Sequence, residues 1–213
     1  MDGLEIEAME YLCSRLCHDL AGPVGAIRNG LELIEESGTD SPEPEALELI
    51  GHSVTLAARR LQLFRLAYGR ALHGARPNFE EVRQALADWL EGGRVRLDWP
   101  PAALAADLAQ RPGVAKALLN LAVAGAEMLP QGGTVTIAGS GAPTAGVIRI
   151  SVCGRALRPP ADVDSILAGT ADAGLLGPRT IHLEVTRRFA RHAELSLATE
   201  FFDASRLELI LRW

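Results

Sequence analysis

Residues 16–24 read Leu16-Cys17-His18-Asp19-Leu20-Ala21-Gly22-Pro23-Val24. Leu16 and Leu20 are four apart and share one face of a helix. At the helical rotation per residue, His18 lies about 200° from each of them and is expected to point to solvent. Around it, one turn away, stand Ser14, Arg15, Ala21 and Gly22, and a turn further on Gly25. Apart from Arg15 these side chains are small, so another protein's surface can approach the imidazole closely. Gly22 and Gly25 each weaken a helix by about 1 kcal/mol relative to Ala. Pro23 costs more, because it removes one backbone hydrogen bond and clashes one turn back. A sequence shaped for stability alone has no use for all three beside an exposed histidine. The stretch therefore predicts a loosened, kinked helix carrying a reactive side chain.

Working outward, Leu12, Leu16, Leu20, Pro23, Ile27, Leu31 and Ile34 recur at spacings of three or four, the stripe of one helix. Glu35 to Gly38 ends it, and Ser37 to Pro44 is rich in turn residues. A second helix begins near Pro42–Pro44, carries Leu47, Ile50, Val54, Leu61, Phe64 and Leu66, and stops near Gly69 to Gly74. Two such helices cannot bury their apolar faces against each other alone. A homodimer closing a four-helix bundle is expected. Residues 1–76 are thus read as a helical-hairpin dimerisation domain.

Residues 77–213 mix helix and strand. Phe79 to Glu91, Pro112 to Leu129 and Leu183 to His192 read as helices. Arg94 to Trp99, Thr134 to Gly139, Gly146 to Cys153, Leu195 to Thr199 and Arg206 to Arg212 read as strands. Helices on one side of a mixed or antiparallel sheet make an α/β sandwich, and the whole chain is α+β.

Composition narrows the function. The chain has 213 residues, 48% hydrophobic and 23% charged, as an ordinary globular protein does. Its net charge is −6, Lys116 is its one lysine, and its arginines are scattered. Without clustered cations it is a poor partner for nucleic acid. The acidic start lacks the pattern of a signal peptide. Val114 to Leu129 is too short and too polar to span a bilayer. No membrane association and a cytoplasmic location are expected. Cys13, Cys17 and Cys153 are an odd set without a Cys-x-x-Cys pair. Cys13 and Cys17 are read as small, mostly buried hydrophobes. His52, His73, His182 and His192 lack metal-ligand spacing, so no metal site is expected. Arg187, Arg188 and Arg191 read as a solvated helix face, with docking to a partner's acidic edge as the alternative. Trp89, Trp99 and Trp213 read as packing residues.

Histidine suits nucleophilic chemistry. A free pKa near 6.5 leaves a neutral ring nitrogen at cytoplasmic pH. That nitrogen can accept a phosphoryl group as a phosphoramidate. Asp19 can hydrogen-bond the ring or take its proton. Phosphoryl transfer then needs in-line positioning and charge stabilisation, which a partner's Mg²⁺ can supply. The chain itself is expected to hold no cofactor.

The segment resembles the His-acidic-Leu-x-x-Pro box of two-component histidine kinases, and most closely the alphaproteobacterial ChpT-type histidine phosphotransferases. Arg15-Leu16-Cys17-His18-Asp19 matches that family's phosphorylation segment. Phe64 to Gly69, Arg96 to Trp99, Leu129 to Gly133 and Leu176 to Pro178 resemble further family segments along nearly the whole chain. The resemblance implies a relay. His18 would receive phosphate from the receiver domain of a hybrid histidine kinase and pass it to response-regulator receivers. It also implies that residues 77–213 are a degenerate kinase ATPase-like domain. Working kinases carry two asparagines four apart; Asn120 fits the first, but Ala124 stands at the second and Glu127 at the following lysine. Cys153 to Leu157 replaces the adenine-reading acidic loop, and Gly174 to Pro178 is a reduced phosphate loop. No nucleotide-binding residue is therefore expected, and Asn120 is read as structural. An ATP-dependent kinase fragment and a non-catalytic receiver-binding adaptor are the rival readings.

Overall fold

The computed structural model describes residues 3–37, 44–69, 77–171, 177–178 and 180–213. The expected turns at 38–43 and 70–76, and most of the reduced phosphate loop, lie outside them. Helices α1 (Gly3–Ser37) and α2 (Pro44–Ala67) form the expected antiparallel hairpin. Helix α1 runs unbroken through Pro23. The two helices meet closely at Gly30, where a Cβ would lie 2.6 Å from Cγ1 of Ile50.

Helix α3 (Phe79–Leu90) opens on a capping box. Asn78 Oδ1 accepts from the Glu81 amide, and the Glu81 carboxylate accepts from the Asn78 amide. Strand β1 (Val95–Asp98), helix α4 (Val114–Glu127), strands β2 (Gly133–Ala142) and β3 (Ala145–Cys153), helices α5 (Val163–Ala168) and α6 (Ile181–His192), and strands β4 (Ser196–Asp203) and β5 (Arg206–Arg212) follow. The strands form one sheet in the order β1-β2-β3-β5-β4. Only β1 and β2 pair in parallel; the other neighbours are antiparallel. Helix α4 is buried nearly all round and packs tightly on the sheet. A Cβ at Gly125 would lie 2.7 Å from Cγ2 of Val152. This is the mixed, one-sided α/β layer expected from the sequence, and the α+β class holds.

Short α5 was not anticipated. Cys13 and Cys17 are exposed, which corrects their reading as buried hydrophobes. They share the face of α1 that carries Ile6, Val24 and Leu31, all exposed. Trp99 is buried edge-on against Phe79, 6.2 Å between ring centres, and Trp89 and Trp213 pack at the core's margin. Among the described residues no helix is long and apolar enough to cross a membrane.

Candidate functional site

Helix α1 presents His18 as the sequence predicts: its side chain is 89% exposed. Its Nδ1 lies 3.3 Å from Oδ1 of Asp19. Ser14, Ala21 and Gly22 are exposed around it and Gly25 is half-buried. A Cβ added at Gly22 or Gly25 would meet nothing within 4 Å. Nothing among the described residues therefore calls for glycine there, and the free space belongs to the surface beside His18.

Arg15 departs from this collar. Its side chain is only 14% exposed and is paired with Glu127 at the end of α4. Burial opposes the guanidinium charge, but the Glu127 carboxylate and its hydrogen bond hold the Arg15 pKa above its ordinary value. Arg15 thus ties the histidine-bearing helix to the second domain rather than standing open to a partner.

Pro23 is buried within the hairpin. Four residues before it, the backbone carbonyl of Asp19 accepts a hydrogen bond from Arg60 Nη1 on α2. Its neighbour Arg59 pairs with Glu91 after α3.

The hairpin's base is held by a polar chain that sequence reading missed. Tyr68, just past α2, lies with its hydroxyl 2.5 Å from Nδ1 of His182 on α6. Nε2 of His182 is 2.7 Å from the carbonyl oxygen of Asn120. A carbonyl can only accept, so Nε2 carries the proton and Nδ1 accepts from the tyrosine. Burial pushes the His182 pKa down to about 3, with the Arg15 charge acting in the same direction, so the ring is neutral. Burial likewise raises the Tyr68 pKa well above that of a free phenol, opposed by Arg15. Asn120 is fully buried and donates to the carbonyls of Ala67 (3.0 Å) and Lys116 (2.9 Å). Lys116 Nζ donates to the Gly69 carbonyl at 2.5 Å. Asn120 thus caps the end of α2, in keeping with its structural reading.

Other sequence candidates are accounted for locally. Arg187 and Arg188 both bind Glu184, Arg187 through two hydrogen bonds of 2.8 and 2.6 Å. Among the described residues no group of three or more histidine, cysteine or carboxylate side chains is arranged to hold a metal.

Comparison with known proteins places the fold in a family. Residues 79–204 match the family model described as the histidine phosphotransferase C-terminal domain. The chain is 31% identical over 199 residues to the protein phosphotransferase ChpT of Brucella abortus (strain 2308), covering 93% of this chain and 91% of that protein. It also superposes on the 1.7 Å structure of a bacterial phosphotransferase with a TM-score of 0.77 and 28% identity, over 99% of this chain and 97% of the other. With the family's C-terminal domain matched over more than half its length and a ChpT matched nearly end to end, the chain belongs to the histidine phosphotransferases.

Proposed function

We propose that His18 is both phosphoryl acceptor and donor in a phosphorelay between receiver domains, without ATP. The observation that carries this reading is the exposed imidazole of His18 beside Asp19, on a helix whose adjoining glycines leave open space. Asp19 lies on the Nδ1 side, so a proton on Nδ1 leaves the Nε2 lone pair free to attack. Attack on the aspartyl phosphate of a hybrid kinase's receiver forms a P–N bond at Nε2. It breaks the P–O bond, and the receiver's aspartate leaves as a carboxylate. The reverse step on a response regulator's receiver restores the free imidazole. Mg²⁺ held by the receiver would offset charge on the transferring phosphoryl group. Ser14, Ala21, Gly22 and Gly25 would form the docking collar, with Arg15 anchoring their helix from behind.

Two domains serve this role: residues 1–76 carry the histidine, and residues 77–213 hold the hairpin and give an ATPase-like shell without nucleotide. The reading includes a homodimer. Cys17, Val24 and Leu31 on α1, and Leu47, Val54 and Leu61 on α2, recur every seventh residue and are all exposed. A heptad stripe of this kind is the seam of a helical bundle. A cytoplasmic setting fits receiver domains as partners.

Incubation with a radiolabelled phosphorylated receiver, beside a lane with labelled ATP alone, tests the reading. Acid-labile label on the wild type from the receiver, none from ATP, and none on His18→Ala is the expected result. Label from ATP would make the chain a kinase. Equal receiver binding by wild type and His18→Ala, with no label on either, would make it an adaptor.

A further inference from the structure

In an α-helix the amide of residue 23 donates to the carbonyl of residue 19. Pro23 has no amide hydrogen, yet α1 continues through it. The carbonyl of Asp19 therefore loses its partner within the helix, directly after His18. An unpaired backbone carbonyl away from water is costly, and here it would loosen the turn that carries the nucleophile. The structure supplies a donor from elsewhere: Arg60, from α2 and 41 residues along the chain, donates through Nη1 to this oxygen.

We propose that Arg60 is a positioning residue for phosphotransfer, its guanidinium standing in for the amide that Pro23 lacks. Arg60 fixes the carbonyl of Asp19 against α2. The peptide that follows Asp19 is then held, and with it the residue whose carboxylate lies 3.3 Å from the His18 ring. Proline removes one helix hydrogen bond beside His18, and arginine keeps that turn in one orientation. The charged donor matters, because a guanidinium binds a carbonyl more strongly than a neutral group does. The inference rests on the reading of His18 as the phosphoryl acceptor, and its test separates the two.

The full-length chain is compared as wild type, Arg60→Met, Pro23→Ala and the double variant. Methionine keeps a long apolar stem without the donors. Alanine at 23 restores the amide. Single-turnover transfer from a labelled receiver gives a maximal rate and a half-saturating concentration. Arg60→Met is expected to lower the maximal rate about tenfold, as a misplaced reacting group does, with a small change in half-saturation. In the Pro23→Ala background the same change is expected to cost little, because the restored amide takes the Asp19 carbonyl. Amide hydrogen exchange across residues 20–26 is followed in parallel. It should quicken in Arg60→Met and return toward the Pro23→Ala value in the double variant. Equal losses on Arg60→Met with proline or alanine at 23 would overturn the proposal. So would unchanged transfer and unchanged exchange in Arg60→Met. A wild type that no receiver labels would sink the acceptor reading, and the exchange data alone would then decide the role of Arg60.

Discussion

The helical hairpin and the α/β domain differ in how completely each covers its own apolar surface. In residues 79–213 the large side chains of α4 and the central strands are fully enclosed, and Phe201 and Phe202 are the only large hydrophobics left exposed among its described residues. In the hairpin, Ile6, Met9, Val24, Leu31, Leu33, Leu47, Leu49, Val54 and Leu61 all stand exposed. Its buried α2 positions are mainly small: Ala46, Ser53 and Ala67, with Leu63 the one large side chain. One region has a finished core, and the other has half of one. The difference teaches that apolar periodicity marks surface to be covered and does not say by what.

The strongest test of that contrast is truncation within each region. Leu118 on α4 is fully buried, so Leu118→Ala should cost about 2–5 kcal/mol in urea unfolding. Leu31→Ala, measured at concentrations where the chain is a monomer, should cost under about 1 kcal/mol, because half of that side chain is already in water. Equal costs would erase the distinction. The next test covers the open half. Charges placed in the heptad stripe, as Val54→Glu with Leu61→Glu, should shift sedimentation from dimer to monomer while leaving the far-ultraviolet spectrum intact. A wild type that sediments as a monomer at micromolar concentration would leave the hairpin's stripe for another partner.

The sequence makes the hairpin, the exposed position of His18 and the strands legible, because each is a local period of 3.6 or 2. The six-residue helix α5 is too short to show a period. The exposure of Cys13 and Cys17 is illegible for a related reason: a wide apolar stripe looks like core whether or not a second element covers it. The contacts that position the site were harder still. Arg15 with Glu127, Tyr68 with His182 and Arg60 with the Asp19 carbonyl join residues 41 to 114 apart in the chain. Side-chain pairing over such distances leaves no spacing to read. One partial signal existed: a proline inside a helix announces an orphaned carbonyl four residues earlier, though not its new donor.

A smaller effect comes from the polar chain that joins the two regions. His182 is held neutral, its pKa near 3 against an ordinary 6.5. Below pH 6.5 the unfolded chain binds a proton that the folded chain does not. The stability that goes with the neutral ring is complete above pH 6.5 and is lost as pH falls from there toward 3, at about 1.4 kcal/mol per unit. His182→Gln should flatten the dependence of unfolding free energy on pH between 6 and 4 by close to one proton. A slope unchanged by the substitution would mean that the ring titrates normally in the folded protein.

The finest test concerns the ion pair between Arg15 and Glu127, and its two halves should be unequal. Arg15 is mostly buried, and its Nε has no hydrogen-bond partner among the described residues. Glu127 keeps 36% of its side chain exposed. Replacing the carboxylate leaves a guanidinium short of its main acceptor in a dry setting, which is the costly way to break a pair. Replacing the arginine leaves a carboxyl whose pKa burial already raises, so it can take up a proton and shed its charge, and it removes the unsatisfied Nε as well. Glu127→Gln should therefore destabilise more than Arg15→Met, by roughly 0.5–1 kcal/mol. The coupling in the double-variant cycle should be of similar size. The two substitutions should part in function too. Arg15→Met frees α1 from α4 and should slow phosphotransfer to His18 more than its small stability cost would suggest. Glu127→Gln can keep a neutral hydrogen bond to Arg15 and should slow it less. Opposite rankings in stability and in transfer would show that the pair serves to place the histidine helix against the second domain, whereas matching rankings would reduce it to an ordinary contact between them.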